Sequence, residues 1–287
     1  MKPIVDVSHA EEIAPDLVVI PNRNVQLVPN IGVIGGREAV LVVDTGMGPR
    51  NAEMVLAFAR EYAKGRRIYV TSTHFHPEHA FGARTFQDEA TFLVNRDQAE
   101  DLARKGAGYL HMFRGLGEAI AEQLDGVEIP QPDTVYDQAL DLDLGGRVVR
   151  LRATGRAHSK GDQVIRVDDV LFTGDLVETG QFAIFPWFPP HDTDVSGIRW
   201  IEVIRGLAEE RPKVVIPGHG DRGGPEVLDD VRGCLELLRD ETWARRDSAM
   251  GEQTIVEEVT AVLLRRYPEW EGREWIEKGV GCLCAEQ

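Results

Sequence analysis

Basic residues are in short supply: 32 Lys and Arg stand against 48 Asp and Glu, a formal charge of −16 over 287 residues. A surface that acidic repels polyanions, so nucleic acid is a poor partner and an RNA or phosphodiester substrate a poor fit. Cysteine is scarcer still. Cys234, Cys282 and Cys284 are odd in number and fall late in the chain, which argues against a disulfide framework; Cys282 and Cys284 read as passive. No apolar run approaches the ~20 residues of a membrane span, and residues 1–9 lack the apolar stretch of a secretory signal. The expectation is a cytoplasmic protein without a membrane partner. The 43% hydrophobic and 28% charged residues suit a soluble globular chain, long enough for one large α/β domain or a domain plus a helical appendage.

Residues 17–20, 25–28, 31–34 and 39–43 read as strands of an antiparallel meander. The last is nearly all apolar and runs into Asp44-Thr45-Gly46. Helical spacing follows over 49–63, ended by Gly65, and then a strand over 67–71. A short helix is predicted over about 79–86 and a strand over 91–94. Residues 96–125 read as two helices broken around Gly106-Ala107-Gly108, suited to a lid or insertion. A second strand-rich block covers 140–144, 148–153, 163–167 and 170–173, repeating the first plan. An aromatic loop with Phe182, Phe185, Trp187 and Phe188 leads to a helix over about 194–208 and a strand over 213–216. From Pro225 the pattern is helical, with breaks near Gly251 and Pro268. The division predicted is a catalytic domain, 1–224, and a C-terminal helical segment, 225–287.

Five of the eight histidines, His74, His76, His79, His158 and His219, stand just after predicted strands on short Gly- or Pro-containing loops, as does Asp175. Open α/β sheets place chemistry at such strand ends. Residues two apart on extended backbone point the same way, so His74 and His76 converge on one ion, leaving Glu78 and His79 for a second. Four His or carboxylate side chains in six residues are hard to pack without a cation. Imidazole and carboxylate donors without nearby thiols suit zinc, with iron or manganese as alternatives.

At these residues the chain resembles the metallo-β-lactamase superfamily. The motif H-x-H-x-D-H stands here as His74-Phe75-His76-Pro77-Glu78-His79, with Gly82 following. Four further motifs occur in order: Val42-Val43-Asp44-Thr45-Gly46, His158 within Gly155 to Asp162, Asp175 in Phe172-Thr173-Gly174-Asp175, and His219 in Pro217-Gly218-His219-Gly220. The resemblance implies a four-layered αβ/βα sandwich. It implies a first metal on His74, His76 and His158, a second on Glu78, His79 and His219, Asp175 bridging, and Asp44 supporting a ligand from behind. Glu78 departs from the usual Asp, and its extra methylene moves the carboxylate by roughly 1.5 Å; it ligates weakly or accepts a proton from water instead.

A divalent ion with an open position lowers the pKa of bound water from about 15.7 to about 7, so no side-chain nucleophile is needed. The expected reaction is hydrolysis of a carbonyl ester, lactone, thioester or lactam of a small molecule by that hydroxide, with Glu78 and Asp175 as catalytic carboxylates. Tyr109, His111, Phe182, Phe185, Trp187 and Phe188 are candidates for an apolar pocket wall. Two other readings stay open: a mononuclear iron thiol or persulfide dioxygenase, and a non-catalytic metal-binding protein. Homo-oligomerisation is also open.

Overall fold

A computed structural model describes residues 2–248 and 250–286. Two sheets stack face to face. The first has seven strands in sequence order: β1 (Glu11–Ala14), β2 (Leu17–Ile20), β3 (Ile31–Gly35), β4 (Ala39–Val43), β5 (Arg67–Thr71), β6 (Ala90–Asn95) and β7 (Thr134–Tyr136). β1 to β4 pair antiparallel and β4 to β7 parallel. The parallel connections carry α1 (Gly48–Ala63), α2 (Pro77–Ala80), a 3-10 turn (Phe81–Phe86), α3 (Arg96–Arg114) and α4 (Glu118–Gln123). The second sheet runs β12 (Val214–His219), β11 (Val170–Glu178), β10 (Gln163–Val167), β9 (Val148–Ala153), β8 (Ala139–Asp143), with α5 (Gly197–Glu209) linking β11 to β12. Three helices follow: α6 (Glu226–Asp247), α7 (Glu252–Arg266) and α8 (Trp275–Ala285).

Three apolar layers hold this arrangement. Leu17, Leu41 and Val43 of the first sheet meet Leu151, Ile165 and Phe172 of the second. Val40, Val42 and Val70 on the outer face of the first sheet pack under Val55 and Ala59 of α1. Leu171 and Val215 on the outer face of the second lie under Trp200 and Ile204 of α5 and Val231, Leu235 and Leu238 of α6. The central strands are buried on both faces, which is why they read as continuous apolar runs. The result is the four-layered αβ/βα sandwich with C-terminal helices expected from the sequence. Those helices share the apolar layer of α5, and among the described residues no helix is long and apolar enough to cross a membrane.

Several elements differ from expectation: the edge strands β1 and β7 are additional to those expected, and β11 runs past 173 to Glu178, so that Asp175 lies inside the strand. Residues 25–28 form turns: Arg23, Asn24 and Leu27 adopt positive φ, incompatible with a strand, and the Val28 carbonyl accepts from His219 Nδ1 at 2.9 Å. Helix α3 also runs unbroken through Gly106 and Gly108 to Arg114. Gly106 serves close packing rather than a break, since a Cβ there would stand 2.8 Å from Ile129 Cγ2.

Candidate metal centre

The ends of β5, β11 and β12 meet at one edge of the sandwich. Cross-sheet hydrogen bonds from Gln163 N to Thr73 O (2.9 Å) and from Asn30 N to Gly218 O (2.8 Å) hold them there. His74 and His76 leave β5 on an extended turn, and His76 caps α2, which presents Glu78 and His79. Asp175 lies within β11, His219 ends β12, and His158 sits in the turn between β9 and β10.

These seven side chains form two groups sharing Asp175: His74, His76, His158 and Asp175, and Glu78, His79, Asp175 and His219. In the first, His76 Nδ1 stands 2.9 Å from His74 Nε2 and 3.1 Å from His158 Nε2. Asp175 Oδ2 is 3.8 Å from both Nε2 atoms. In the second, the Nε2 atoms of His79 and His219 are 3.3 Å apart, and Asp175 Oδ1 lies 3.2 Å from one and 3.5 Å from the other. Donors about 2.0–2.1 Å from a tetrahedral ion lie roughly 3.3 Å from one another, and these separations straddle that value. Asp175 Oδ1 and Glu78 Oε2 are buried without a hydrogen-bond donor. Buried carboxylate oxygens in that condition call for a cation. The residues therefore fit two metal ions, and Asp175 turns one oxygen to each donor set.

Outer contacts set three of the rings. His158 Nδ1 donates to Ile184 O at 2.9 Å and His219 Nδ1 to Val28 O at 2.9 Å. His79 Nδ1 lies 2.9 Å from Asp44 Oδ2, and Asp44 also accepts from Thr73 N at 2.7 Å. The carbonyl contacts put the His158 and His219 ring protons on Nδ1 and free Nε2 for the centre, and the Asp44 contact turns the His79 ring so that its Nε2 faces the centre. Burial holds His74 and His76 well below the usual imidazole range, takes His158 down to about 4 and lowers His219. These four are neutral donors near pH 7. Burial also opposes charge on His79, but Asp175 and Asp44 outweigh it and push that ring up. Burial opposes ionisation of Asp175 as well; the facing imidazoles reverse this and hold it well below the carboxylate range. Glu78 is pushed up to about 7 by burial, with Asp175 adding to the effect.

All seven are buried: His76, Glu78 and His219 keep 5–7% exposure, the other four 0–2%. Of the residues read as pocket wall, Tyr109 is buried, stacks on His76 at 5.0 Å between ring centroids, and donates its hydroxyl to Asp192 Oδ2 at 2.7 Å. Phe182 packs on Trp270 and Phe185 on Trp200, both within the apolar layer under the C-terminal helices. Trp187 and Phe188 are half-buried in the same loop and His111 is exposed on α3. Thr73 and Glu178 were not singled out by the sequence. Thr73 carries no motif signal, and Glu178 closes β11, a strand buried along its whole length.

An αβ/βα sandwich with two buried His and carboxylate sets at one edge is the architecture of a metal-binding protein. The family model of the metallo-β-lactamase superfamily matches residues 25–219. An acyl-coenzyme A thioesterase, MBLAC2 of Bos taurus, is 30% identical over 220 residues, covering 69% of this chain and 75% of that protein. The type 2 metallo-β-lactamase of Bacteroides fragilis is 21% identical over 222 residues, covering 75% and 79%. In fold, the chain matches a metallo-β-lactamase from Pontibacter korlensis (TM-score 0.64, 18% identity, 79% of this chain and 98% of that one). It also matches the sec-alkylsulfatase Pisa1 from Pseudomonas sp. (TM-score 0.72, 16% identity, 96% and 49%). The chain belongs to the metallo-β-lactamase superfamily and is a hydrolase of that family.

Proposed function

We propose that this protein is a dinuclear zinc thioesterase that hydrolyses an acyl thioester of a small-molecule carrier. The observation that carries the proposal is the pair of donor sets joined through Asp175; the choice of thioester is supported by the acyl-coenzyme A thioesterase relatives. In this reading His74, His76 and His158 hold one ion and Glu78, His79 and His219 the other. Ions held there would polarise a carbonyl and acidify a water molecule toward neutral pKa. No buried Ser, Cys or Lys nucleophile is then required, in keeping with the His and carboxylate lining.

The remaining work falls to the chain. Asp175 keeps the two sets in register, and Asp44 holds His79 in the tautomer that frees Nε2. Glu78 gives one oxygen to the second set and with the other accepts the proton leaving the attacking water. Water adds to the thioester carbon, the C–S bond breaks, and that proton passes to the departing sulfur, giving a carboxylic acid and a thiol. The acidic surface and the buried position of the site favour a small molecule over nucleic acid.

The test is thiol release from a series of acyl-coenzyme A thioesters by zinc-loaded protein, beside a chromogenic β-lactam, an aryl ester, a lactone and a secondary alkyl sulfate. Thioester cleavage should exceed each of the others. A full metal complement with no thioester turnover, or faster release of sulfate, would overturn the proposal.

A further inference from the structure

Glu178 closes β11 three residues after Asp175 and is 2% exposed. Its Oε2 accepts from Ile184 N at 2.9 Å. The same residue's carbonyl accepts from His158 Nδ1 at 2.9 Å. One peptide segment therefore joins a buried carboxyl to the imidazole, and the rest of the loop is braced by the segment between α7 and α8 and by α8 itself. Phe182 N donates to Glu271 O and Glu271 N to Gly180 O, at 2.9 and 3.0 Å. The Phe185 ring lies 3.2 Å from where a Cβ on Gly279 of α8 would stand.

We infer that Glu178 is a positioning residue for His158, acting through the backbone of Ile184, so that metal retention at the His74, His76 and His158 set depends on a side chain that touches none of them. The carbonyl of Ile184 is what keeps the His158 proton on Nδ1 and Nε2 free. That carbonyl stays in place only while its own N–H is anchored. A half-buried amide that loses its acceptor weakens the hold on this loop conformation. Glu178 is the acceptor, and its other oxygen has no partner, so the neutral amide of Gln serves in its place. Asp does not: one methylene shorter, it withdraws the acceptor by roughly 1.5 Å.

The inference rests on His158 being a ligand, and the experiment separates the two. Chelator competition is measured on zinc-loaded parent, Glu178→Gln, Glu178→Asp, His158→Ala and the double variant Glu178→Asp/His158→Ala. Imidazole 15N shifts of the metal-free parent report the His158 tautomer. Glu178→Gln should stay within about threefold of the parent. Glu178→Asp should weaken retention of one ion by about 10- to 100-fold, the range for lost outer contacts to a ligand, and should add nothing in the His158→Ala background. The parent tautomer should be Nδ1–H. A Glu178→Asp protein that keeps both ions as the parent does, while His158→Ala loses one, overturns the inference alone. Additive losses in the double variant, or an Nε2–H tautomer in the parent, overturn it too; the tautomer decides even if Glu178→Asp does not fold. A His158→Ala protein that keeps both ions overturns the reading of the site beneath it.

Discussion

Replacing Asp44 by Asn changes one atom and should cost the second metal ion. Asp44 has φ +66°, a left-handed position that Asn accepts readily, so the backbone survives. Its Oδ1 takes the Thr73 N–H at 2.7 Å and its Oδ2 faces His79 Nδ1 at 2.9 Å. An Asn that keeps the first bond turns its NH2 toward Nδ1. Nδ1 must then accept, and the ring proton moves to Nε2, the atom facing His219 at 3.3 Å and Asp175 at 3.2 Å. A protonated Nε2 cannot ligate. The opposite amide orientation keeps His79 but leaves a buried backbone N–H facing an NH2, at about 1–3 kcal/mol. Outer partners of this kind are worth about 10- to 100-fold in metal affinity, or about 1.4–2.7 kcal/mol. Chelator competition should show the second ion weakened within that range and the first within about threefold of the parent. Asp44→Ala is the comparison: it orphans both the Thr73 N–H and the His79 Nδ1–H, at about 2–6 kcal/mol, and so should lower the melting temperature as well. If Asp44→Asn held both ions as tightly as the parent, Asp44 would not set the His79 tautomer.

Gly218→Ala would put a Cβ into Asp175 Oδ1, so both ions should bind more weakly at once; metal per chain after gel filtration checks this, and an unchanged count contradicts the shared role of Asp175. His76→Ala should abolish turnover and lose the ion of the first set, whereas Glu78→Asp, the usual residue of the resembling motif, should keep or raise occupancy of the second set, both measured by elemental analysis. Chelation should lower the melting temperature: an ion at 100 times its Kd stabilises by about 2.7 kcal/mol, roughly 5–10 °C for a chain of this size, and an unshifted transition would mean the ions are not bound by the folded state.

The site was legible where its residues are close in sequence. His74, His76, Glu78 and His79 declare themselves by spacing, and His158, Asp175 and His219 by following apolar runs that are plain in the sequence, although Asp175 and His219 lie within their strands. Strand β5 was read residue for residue because a run rich in β-branched residues follows the glycine that ends α1. What stayed hidden depends on partners far along the chain. The turn at 25–28 was read as a strand because its apolar residues carry no sign that the Val28 carbonyl serves a histidine 191 positions away. Gly106 looked like a helix breaker because its reason for being glycine, Ile129, lies on another segment. Phe182 and Phe185 read as pocket wall since nothing local shows that helices after 225 cover them. Glu178 acts on a main chain, and main-chain partners leave no mark in the sequence.

The central claim is that Asp175 joins two metal ions into one hydrolytic centre, and a zinc titration of metal-free protein against acyl-coenzyme A thiol release tests it most directly. Turnover should rise with the ions bound and level off at two per chain, with Asp175→Asn holding neither ion firmly and releasing no thiol. A plateau at two ions per chain without thiol release, or full activity in Asp175→Asn, would contradict the account.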